Sequence, residues 1–156
     1  MPGPISKFLY DPSFSSNPSK ADDEKLYYKI INKLKISQEK SIIFLNGDVG
    51  AGKTTFVKSY LSSLDADNDA TSPTFTIVNE YLDISQKKIY HYDFYRLKDK
   101  NELFEIGIDY YLDQPGIHFI EWSKEFLKYL PKPDINISFL ILQSSRLVTV
   151  EVNNEK

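Results

Sequence analysis

The segment GDVGAGKT at residues 47–54 narrows the choice of fold more than any other part of this sequence, because it fits the pattern G-x-x-x-x-G-K-[ST] without a mismatch. The apolar run at residues 42–45 comes directly before it and is typical of a buried strand. Behind it, apolar side chains recur at helical spacing: Phe56, Val57, Tyr60, Leu61 and Leu64. Strand, glycine-rich loop and helix in this order predict a phosphate-binding loop, and therefore a protein that binds a nucleoside triphosphate.

The residue types in this loop match the chemistry of a triphosphate. Glycines let successive backbone N–H groups turn toward the phosphates, and the following helix adds the positive end of its dipole. Lys53 can reach between the β- and γ-phosphates, and the Thr54 hydroxyl can ligate Mg²⁺. The predicted nucleotide contacts in the loop are Gly47, Asp48, Val49, Gly50, Ala51, Gly52, Lys53, Thr54 and Thr55.

The composition excludes several classes of protein. The 156 residues include no cysteine, so structural disulfides and thiolate zinc sites are excluded. The formal net charge of −3 argues against a protein that holds nucleic acid by bulk electrostatics, since such proteins carry a strong basic excess. No apolar run approaches the roughly 20 residues that cross a bilayer, and the N-terminus has no signal-peptide region. We expect a cytoplasmic protein without membrane contact.

Helical and alternating patterns follow one another along the chain and predict one α/β domain over residues 21–156. The predicted elements are a helix at 22–35, the phosphate-loop unit at 41–64, a hairpin at 74–84 and 88–95, a strand at 116–122 and a final hairpin at 135–142 and 146–152. The expected architecture is a P-loop NTPase-like three-layer fold, with a mixed parallel and antiparallel central sheet and a C-terminal hairpin. Residues 1–20 are rich in proline and serine, and we expect them to be poorly ordered or to add an edge strand at residues 5–10.

Two further helices are predicted between the strands. Residues 99–112 carry Leu103, Ile106 and Tyr110 on one helical face and open with Asp99-x-x-Glu102, a variant of the capping box. Residues 123–130 predict a short helix with Ser123 as its cap.

A phosphate-binding loop needs a carboxylate to complete its magnesium site, and two acids qualify because each closes a strand. Glu121 ends the apolar strand of residues 117–121, and Asp93 ends the more polar segment of residues 90–93. We assign Glu121 to the metal and Asp93 to the attacking water or its shell, although the reverse assignment conflicts with nothing in the sequence. Thr74, in the loop of residues 71–74, is a candidate switch residue that senses the γ-phosphate or the metal. His91 and Asp93 share one strand face, but two side chains without further ligands do not define a transition-metal site.

The order of the motifs resembles the TsaE family, the small bacterial P-loop ATPases of tRNA threonylcarbamoyladenosine biosynthesis. After the phosphate loop come SPTFT at residues 72–76, HYDFYRL at 91–97, EIG at 105–107 and IEW at 120–122. Many families share the phosphate loop, whereas the other elements at these spacings are far more specific. The resemblance runs from about residue 24 to residue 150.

This resemblance implies an accessory ATPase with ATP and Mg²⁺ as its cofactors. Its implied partners are the threonylcarbamoyltransferase subunit and that subunit's paralogous dimerisation partner, and it meets tRNA only through their complex. Intrinsic hydrolysis is expected to be weak until the partner complex binds. Carried over by position, Lys53 and Thr54 contact phosphate and Mg²⁺, Asp93 and Glu121 are the functional acids, Trp122 lies beside the nucleotide, and Thr74 belongs to the switch-like loop.

Two other functions remain open at this point. A small-molecule P-loop kinase can use the same loop for its donor ATP, but such kinases carry arginines for the acceptor and a mobile lid. This chain has only Arg96 and Arg146, and no insertion of lid size. A nucleotide-gated binding module without turnover differs from an ATPase only in its rate.

Overall fold

The computed structural model describes residues 5–10, 20–34, 36, 39–64, 77–142 and 146–153, and for residues 5–10 and 20–24 it describes the backbone alone. The strands are β1 (Ile5–Tyr10), β2 (Lys40–Asn46), β3 (Val78–Leu82), β4 (Lys88–Asp93), β5 (Gly116–Glu121), β6 (Ile135–Ile141) and β7 (Arg146–Val152). The helices are α1 (Lys20–Lys33), α2 (Lys53–Ser63), α3 (Lys100–Glu105) and α4 (Ile108–Leu112), and Lys124–Tyr129 forms a 3₁₀ helix.

The strands form one mixed sheet in the order β1-β7-β6-β2-β5-β4-β3. Strand β2 lies between two parallel neighbours, with Ile43 opposite Phe119 of β5 and Ile135 of β6, and β4 is parallel to β5. The three remaining strands pair antiparallel, β3 with β4, β7 with β6 and β1 with β7. The predictions of a mixed sheet and a C-terminal hairpin are therefore confirmed.

Apolar clusters cover both faces of the sheet. Helices α1 and α2 pack on one face, where Ile43 and Phe119 meet the buried side chains of Ile30 and Phe56. On the other face, α3, α4 and the 3₁₀ helix bury Leu103, Ile108, Leu112 and Phe126 against the sheet. Every residue of β5 is buried, as expected for a parallel strand covered on both sides. The predicted three-layer α/β architecture is confirmed.

Strand β1 lies at the edge of the sheet and pairs with β7. Residues 1–4 and 11–19 lie outside the described residues, and so do residues 74–76 of the predicted first hairpin and residues 143–145 of the predicted last turn. The division of the chain into an N-terminal segment and one ATPase domain stays a prediction.

The single helix predicted over residues 99–112 is wrong, because the chain forms α3 and α4 with a break at Gly107. Gly107 has a φ of 74°, in the left-handed region that ends many helices, and it is also the N-cap residue of α4. Asp99 does cap α3, since its side chain accepts hydrogen bonds from the N–H groups of Asn101 and Glu102. Tyr110 is exposed rather than on the buried face, because the break at Gly107 interrupts the helical periodicity that would have placed it beside Leu103.

The prediction that Ser123 caps the following helix is also wrong. Ser123 occupies the N-cap position of the 3₁₀ helix, but its hydroxyl makes no capping hydrogen bond. Its backbone φ of −74° and ψ of −20° are helical, whereas a side-chain cap requires an extended residue at this position.

Candidate nucleotide-binding site

The phosphate-binding loop connects the carboxyl end of β2 to the first residue of α2. Gly50 has a φ of 79°, and Gly52, the N-cap residue of α2, has a φ of 112°. L-amino acids with a side chain are strained at such positive φ, so these two glycines are required by the turn itself. A loop of this shape at a helix N-terminus is suited to an anion, because the dipole and the backbone N–H groups present positive charge.

Lys53 is the first residue of α2, and its ammonium group is turned back over the loop. It donates hydrogen bonds to the carbonyl oxygens of Gly47 and Asp48, the second at 3.2 Å. The side chain is buried, and this desolvation lowers the pKa of Lys53, while the carboxylates of Glu121, Asp93 and Asp48 act in the opposite direction. The positive charge of Lys53 therefore lies among three acids at the mouth of the loop.

Three parallel strands bring their carboxyl ends together beside this loop. Glu121 at the end of β5 is paired in register with Leu45 of β2 on one side and with Asp93 of β4 on the other. The Thr54 hydroxyl donates a hydrogen bond of 3.0 Å to Oε2 of Glu121. A helix residue of the loop and a strand-end acid, 67 positions apart in the sequence, thus meet directly.

Asp93 lies next to Glu121 but makes different contacts. Opposed residues of neighbouring strands project to the same face, so both carboxylates point toward the loop side of the sheet. Asp93 is half-buried, and its Oδ1 accepts a hydrogen bond of 3.0 Å from the backbone N–H of Tyr95. Glu121, by contrast, is fully buried. The two acids therefore occupy different environments on one edge of the sheet.

His91 is a site residue that the sequence analysis considered and set aside. It is buried in β4 two residues before Asp93, on the same face, and its Nε2 contacts Oε2 of Glu121. The spacing of His91 and Asp93 shows that they share a face. The contact with Glu121 depends on which strand lies beside β4, and the spacing does not contain that information.

Trp122 follows Glu121 and lies against the lysine of the loop. Its φ of 61° is in the left-handed region, which is unusual for a bulky residue and turns the chain sharply after β5. The Lys53 ammonium lies 3.8 Å from the centroid of the indole ring. The Tyr95 ring is tilted against the indole, with 4.8 Å between the two ring centroids. A cation–π contact of this kind holds the indole beside the loop.

The remaining predicted residues are distributed along the loop. Asp48, Val49 and Gly50 are exposed at its tip, Gly47, Gly52, Thr54 and Thr55 are half-buried, and Ala51 is buried beneath it. Thr74 lies outside the described residues, so its predicted switch role stays a prediction. The second histidine, His118 of β5, is buried and contacts the Tyr92 hydroxyl at 2.7 Å through Nδ1.

The edge of the sheet opposite the loop has a separate cavity of about 510 Å³ near the first residues of β4 and β5. Lys88, Tyr90 and Gly116 are among its lining residues. Over the part of the chain that the structure describes, no helix is long and apolar enough to cross a membrane. The same residues contain no cluster of three or more His, Cys, Asp and Glu side chains that could hold a metal ion.

Comparison with known proteins identifies the family. The model of the family described as threonylcarbamoyl adenosine biosynthesis protein TsaE matches residues 18–148. A tRNA threonylcarbamoyladenosine biosynthesis protein TsaE from Haemophilus influenzae is 44% identical over 106 residues, which cover 67% of this chain and 66% of that protein. The corresponding protein of Bacillus subtilis is 38% identical over 62% of this chain and 59% of its own length. The matched part thus spans less than two thirds of these relatives.

The same protein name is given to a relative from Treponema pallidum, which is 34% identical over 74% of this chain and 85% of its own length. Among solved structures, the crystal structure of Bacillus subtilis YdiB superposes with a TM-score of 0.68 at 26% identity, covering 99% of this chain and 88% of that one. The family model spans most of the chain, and the fold and the motifs agree with it. The chain belongs to the TsaE family.

Proposed function

We propose that this protein is an accessory ATPase that binds and hydrolyses Mg-ATP in support of tRNA threonylcarbamoyladenosine modification. The observation that carries the proposal is the meeting of the loop with a strand-end acid, in which Thr54 donates to Glu121 at 3.0 Å while Lys53 lies over the same loop. Family membership supports the pathway, because the relatives are named for threonylcarbamoyladenosine biosynthesis.

The residues present fit a magnesium–nucleotide complex. Mg²⁺ prefers oxygen ligands, and in nucleotide sites one or two carboxylates together with substrate phosphates complete its shell, so a dedicated cluster of three acids is not needed. A hydroxyl and a buried carboxylate lie side by side at Thr54 and Glu121, and Asp93 is opposite Glu121 on the next strand. In this proposal Thr54 and Glu121 hold Mg²⁺, which when bound would neutralise charge on the β- and γ-phosphates.

The chain's own residues would then position the triphosphate and the attacking water. Phosphoryl transfer to water needs alignment and charge neutralisation more than covalent chemistry. The loop amides and the Lys53 ammonium would bind the phosphate oxygens. In doing so, Lys53 would give up its hydrogen bonds to the carbonyl oxygens of Gly47 and Asp48. Asp93, which is half-buried opposite Glu121 on the neighbouring strand, would order the attacking water.

The proposal includes dependence on the threonylcarbamoyl-transfer complex, made of the transferase subunit and its paralogous dimerisation partner. Two features support slow hydrolysis by the free protein. The Lys53 ammonium is already satisfied by loop carbonyls and the Trp122 ring, and Asp93 is bonded to the backbone of Tyr95. Docking that rearranges residues 93–96 would release Asp93 from the Tyr95 N–H, and bound phosphates would draw Lys53 away from the loop carbonyls. We place the protein in the cytoplasm, where its tRNA-modifying partners would act.

Phosphate release from ATP tests this proposal directly. The purified chain is assayed alone, and then with the partner complex and tRNA, in the presence of Mg²⁺. We expect a low rate for the chain alone and a large rise with the complex. Equal rates with and without the complex would contradict partner dependence. Binding of ATP without turnover under any condition would favour a nucleotide-gated module, and phosphate transfer to a small acceptor would favour a kinase.

Two lysine variants separate the loop from general charge effects. Lys53→Ala should weaken ATP binding by about 1.5 to 3 kcal/mol, the usual value of a hydrogen bond to a charged group, and should abolish the stimulated rate. Lys58→Ala is the matched control, because it removes the same charge from an exposed position on the same helix. If the two variants bind ATP equally well, the loop is not the nucleotide site.

A further inference from the structure

A buried histidine directly behind the predicted magnesium site has no role in the mechanism described so far. His91 is fully buried in β4, opposite Phe119 of β5. Its Nε2 contacts Oε2 of Glu121, while Nδ1 has no hydrogen-bond partner among the described residues. Burying an imidazole costs free energy that an apolar side chain would not, so a histidine at this position calls for an explanation.

The contact with Glu121 determines which ring nitrogen carries the hydrogen. With Glu121 as a carboxylate, which can only accept hydrogen bonds, His91 donates from Nε2. Oε2 also accepts the hydrogen bond from the Thr54 hydroxyl. The hydrogen bonds that described side chains donate to this carboxylate therefore both reach Oε2, and none of them reaches Oε1.

We propose that His91 is a positioning residue for the metal site. Its Nε2–H fixes Oε2 of Glu121 against Thr54, so that Oε1 is the carboxylate oxygen left for Mg²⁺ or a water bound to it. The inference rests on the proposed function, because it takes Glu121 as the metal-side acid. It explains why the histidine is buried without a second partner, since only the nitrogen that faces Glu121 is needed.

If His91 has this role, its replacement should weaken Mg²⁺ binding and leave the affinity for ATP without Mg²⁺ unchanged. Groups that orient a metal ligand from behind usually change metal affinity by about 10- to 100-fold when they are removed. If His91 only filled space in the sheet, its replacement would instead change folding stability and leave the Mg²⁺ dependence of ATP binding unaltered. The two roles are therefore separable by measuring Mg²⁺ affinity and stability in the same variants.

The matched variants are His91→Gln and His91→Asn. The side-chain amide of glutamine extends about as far as Nε2 of histidine, whereas the shorter asparagine amide reaches only the position of Nδ1. Both replacements are polar and uncharged, so they differ mainly in whether a donor reaches Glu121. His91→Gln should therefore preserve Mg²⁺ affinity, and His91→Asn should not.

ATP binding is measured calorimetrically over a series of Mg²⁺ concentrations and again in excess EDTA, with thermal melting of each variant. For His91→Asn we expect an apparent Mg²⁺ affinity about 10- to 100-fold weaker than that of the wild type. His91→Gln should remain close to the wild type, and ATP affinity in EDTA should be unchanged in both. Equal losses in both variants, unchanged Mg²⁺ affinity in His91→Asn, or a loss already present in EDTA would overturn the proposal.

Histidine ring NMR of the unmodified chain provides a second test, in which a variant serves only to assign the signals. The chain has two histidines, so the spectrum of His91→Gln assigns the signals of His91. A hydrogen on Nε2 supports the proposal, and a hydrogen on Nδ1 alone overturns it. If the wild type shows no Mg²⁺-dependent ATP binding, the proposed function fails together with this inference. Normal Mg²⁺ dependence that His91→Asn leaves unchanged removes only the role of His91.

Discussion

The substitution Gly52→Ala should destabilise the fold through two separable effects in the phosphate loop. At Gly52 the backbone φ is 112°, and an added Cβ would lie 2.1 Å from the hydroxyl oxygen of Tyr27. Tyr27 cannot easily move aside, because its ring is buried and packs edge-on against Phe56 and Phe139 at centroid distances of 5.4 Å and 5.9 Å. Backbone strain costs about 1 to 2 kcal/mol and overpacking about 1 to 3 kcal/mol, which together give about 2 to 5 kcal/mol.

The same loop offers a control for the strain alone. Gly50 has a φ of 79°, but an added Cβ there meets no atom within 4 Å. Gly50→Ala should therefore cost only about 1 to 2 kcal/mol, the part due to the left-handed backbone. Tyr27→Phe removes the clashing oxygen and leaves the ring carbon that bore it 3.3 Å from the new Cβ, a distance that small shifts can relieve.

The assay is equilibrium unfolding in urea. It compares the wild type, both glycine variants, Tyr27→Phe and the Gly52→Ala/Tyr27→Phe double variant. The wild type, Gly52→Ala, Tyr27→Phe and the double variant form a double-mutant cycle. The cycle cancels whatever Tyr27→Phe costs by itself. We expect Gly52→Ala to be about 1 to 3 kcal/mol less costly in the Tyr27→Phe background, which is the overpacking part. A coupling below about 0.5 kcal/mol, or equal costs for Gly50→Ala and Gly52→Ala, would refute the reasoning.

Two further predictions concern the other face of the sheet. Asp99→Ala should lower the free energy of unfolding by about 0.5 to 2 kcal/mol, because the N–H groups of Asn101 and Glu102 lose their acceptor. Asp99→Asn keeps an acceptor and should be nearly neutral in the same urea experiment. Burial lowers the pKa of His118, so below about pH 6.5 the unfolded chain binds a proton that the folded chain does not. The free energy of unfolding should therefore fall with decreasing pH, by at most about 1.4 kcal/mol per pH unit. His118→Gln should reduce that slope between pH 7 and pH 5, and identical slopes in the two proteins would contradict the assignment.

The phosphate loop and its flanking elements could be predicted because local residue types determine them. A run of buried residues, glycines at the turn and a helical pattern all lie within residues 41–64. The two hairpins were predictable for the same reason, since alternation over a few residues is enough to indicate paired strands. The break at Gly107 was also visible as a glycine at a helix end, but the spacing of Leu103, Ile106 and Tyr110 continued the pattern across it.

The contacts that build the site depend on the order of the strands in the sheet. That order could not be predicted from the sequence. The sequence pattern gave Glu121 and Asp93 as strand-end acids, but their register opposition follows from β4 lying beside β5. The contact between His91 and Glu121 arises in the same way. The approach of Tyr27 in α1 to Gly52 depends on how two helices pack, and no spacing along the chain encodes that distance.

The position of β2 in the sheet has a consequence for how the protein forms during synthesis. Both strands beside β2 come from the second half of the chain, since Ile43 pairs with Phe119 and with Ile135. In a nascent chain that has exposed β2 and α2, β2 therefore has neither of its described partner strands until β5 emerges from the ribosome. Folding must wait for these distant pairings, which makes it slow relative to a helical protein of similar length. Truncated chains that end before β5 should remain protease-sensitive and retain no nucleotide.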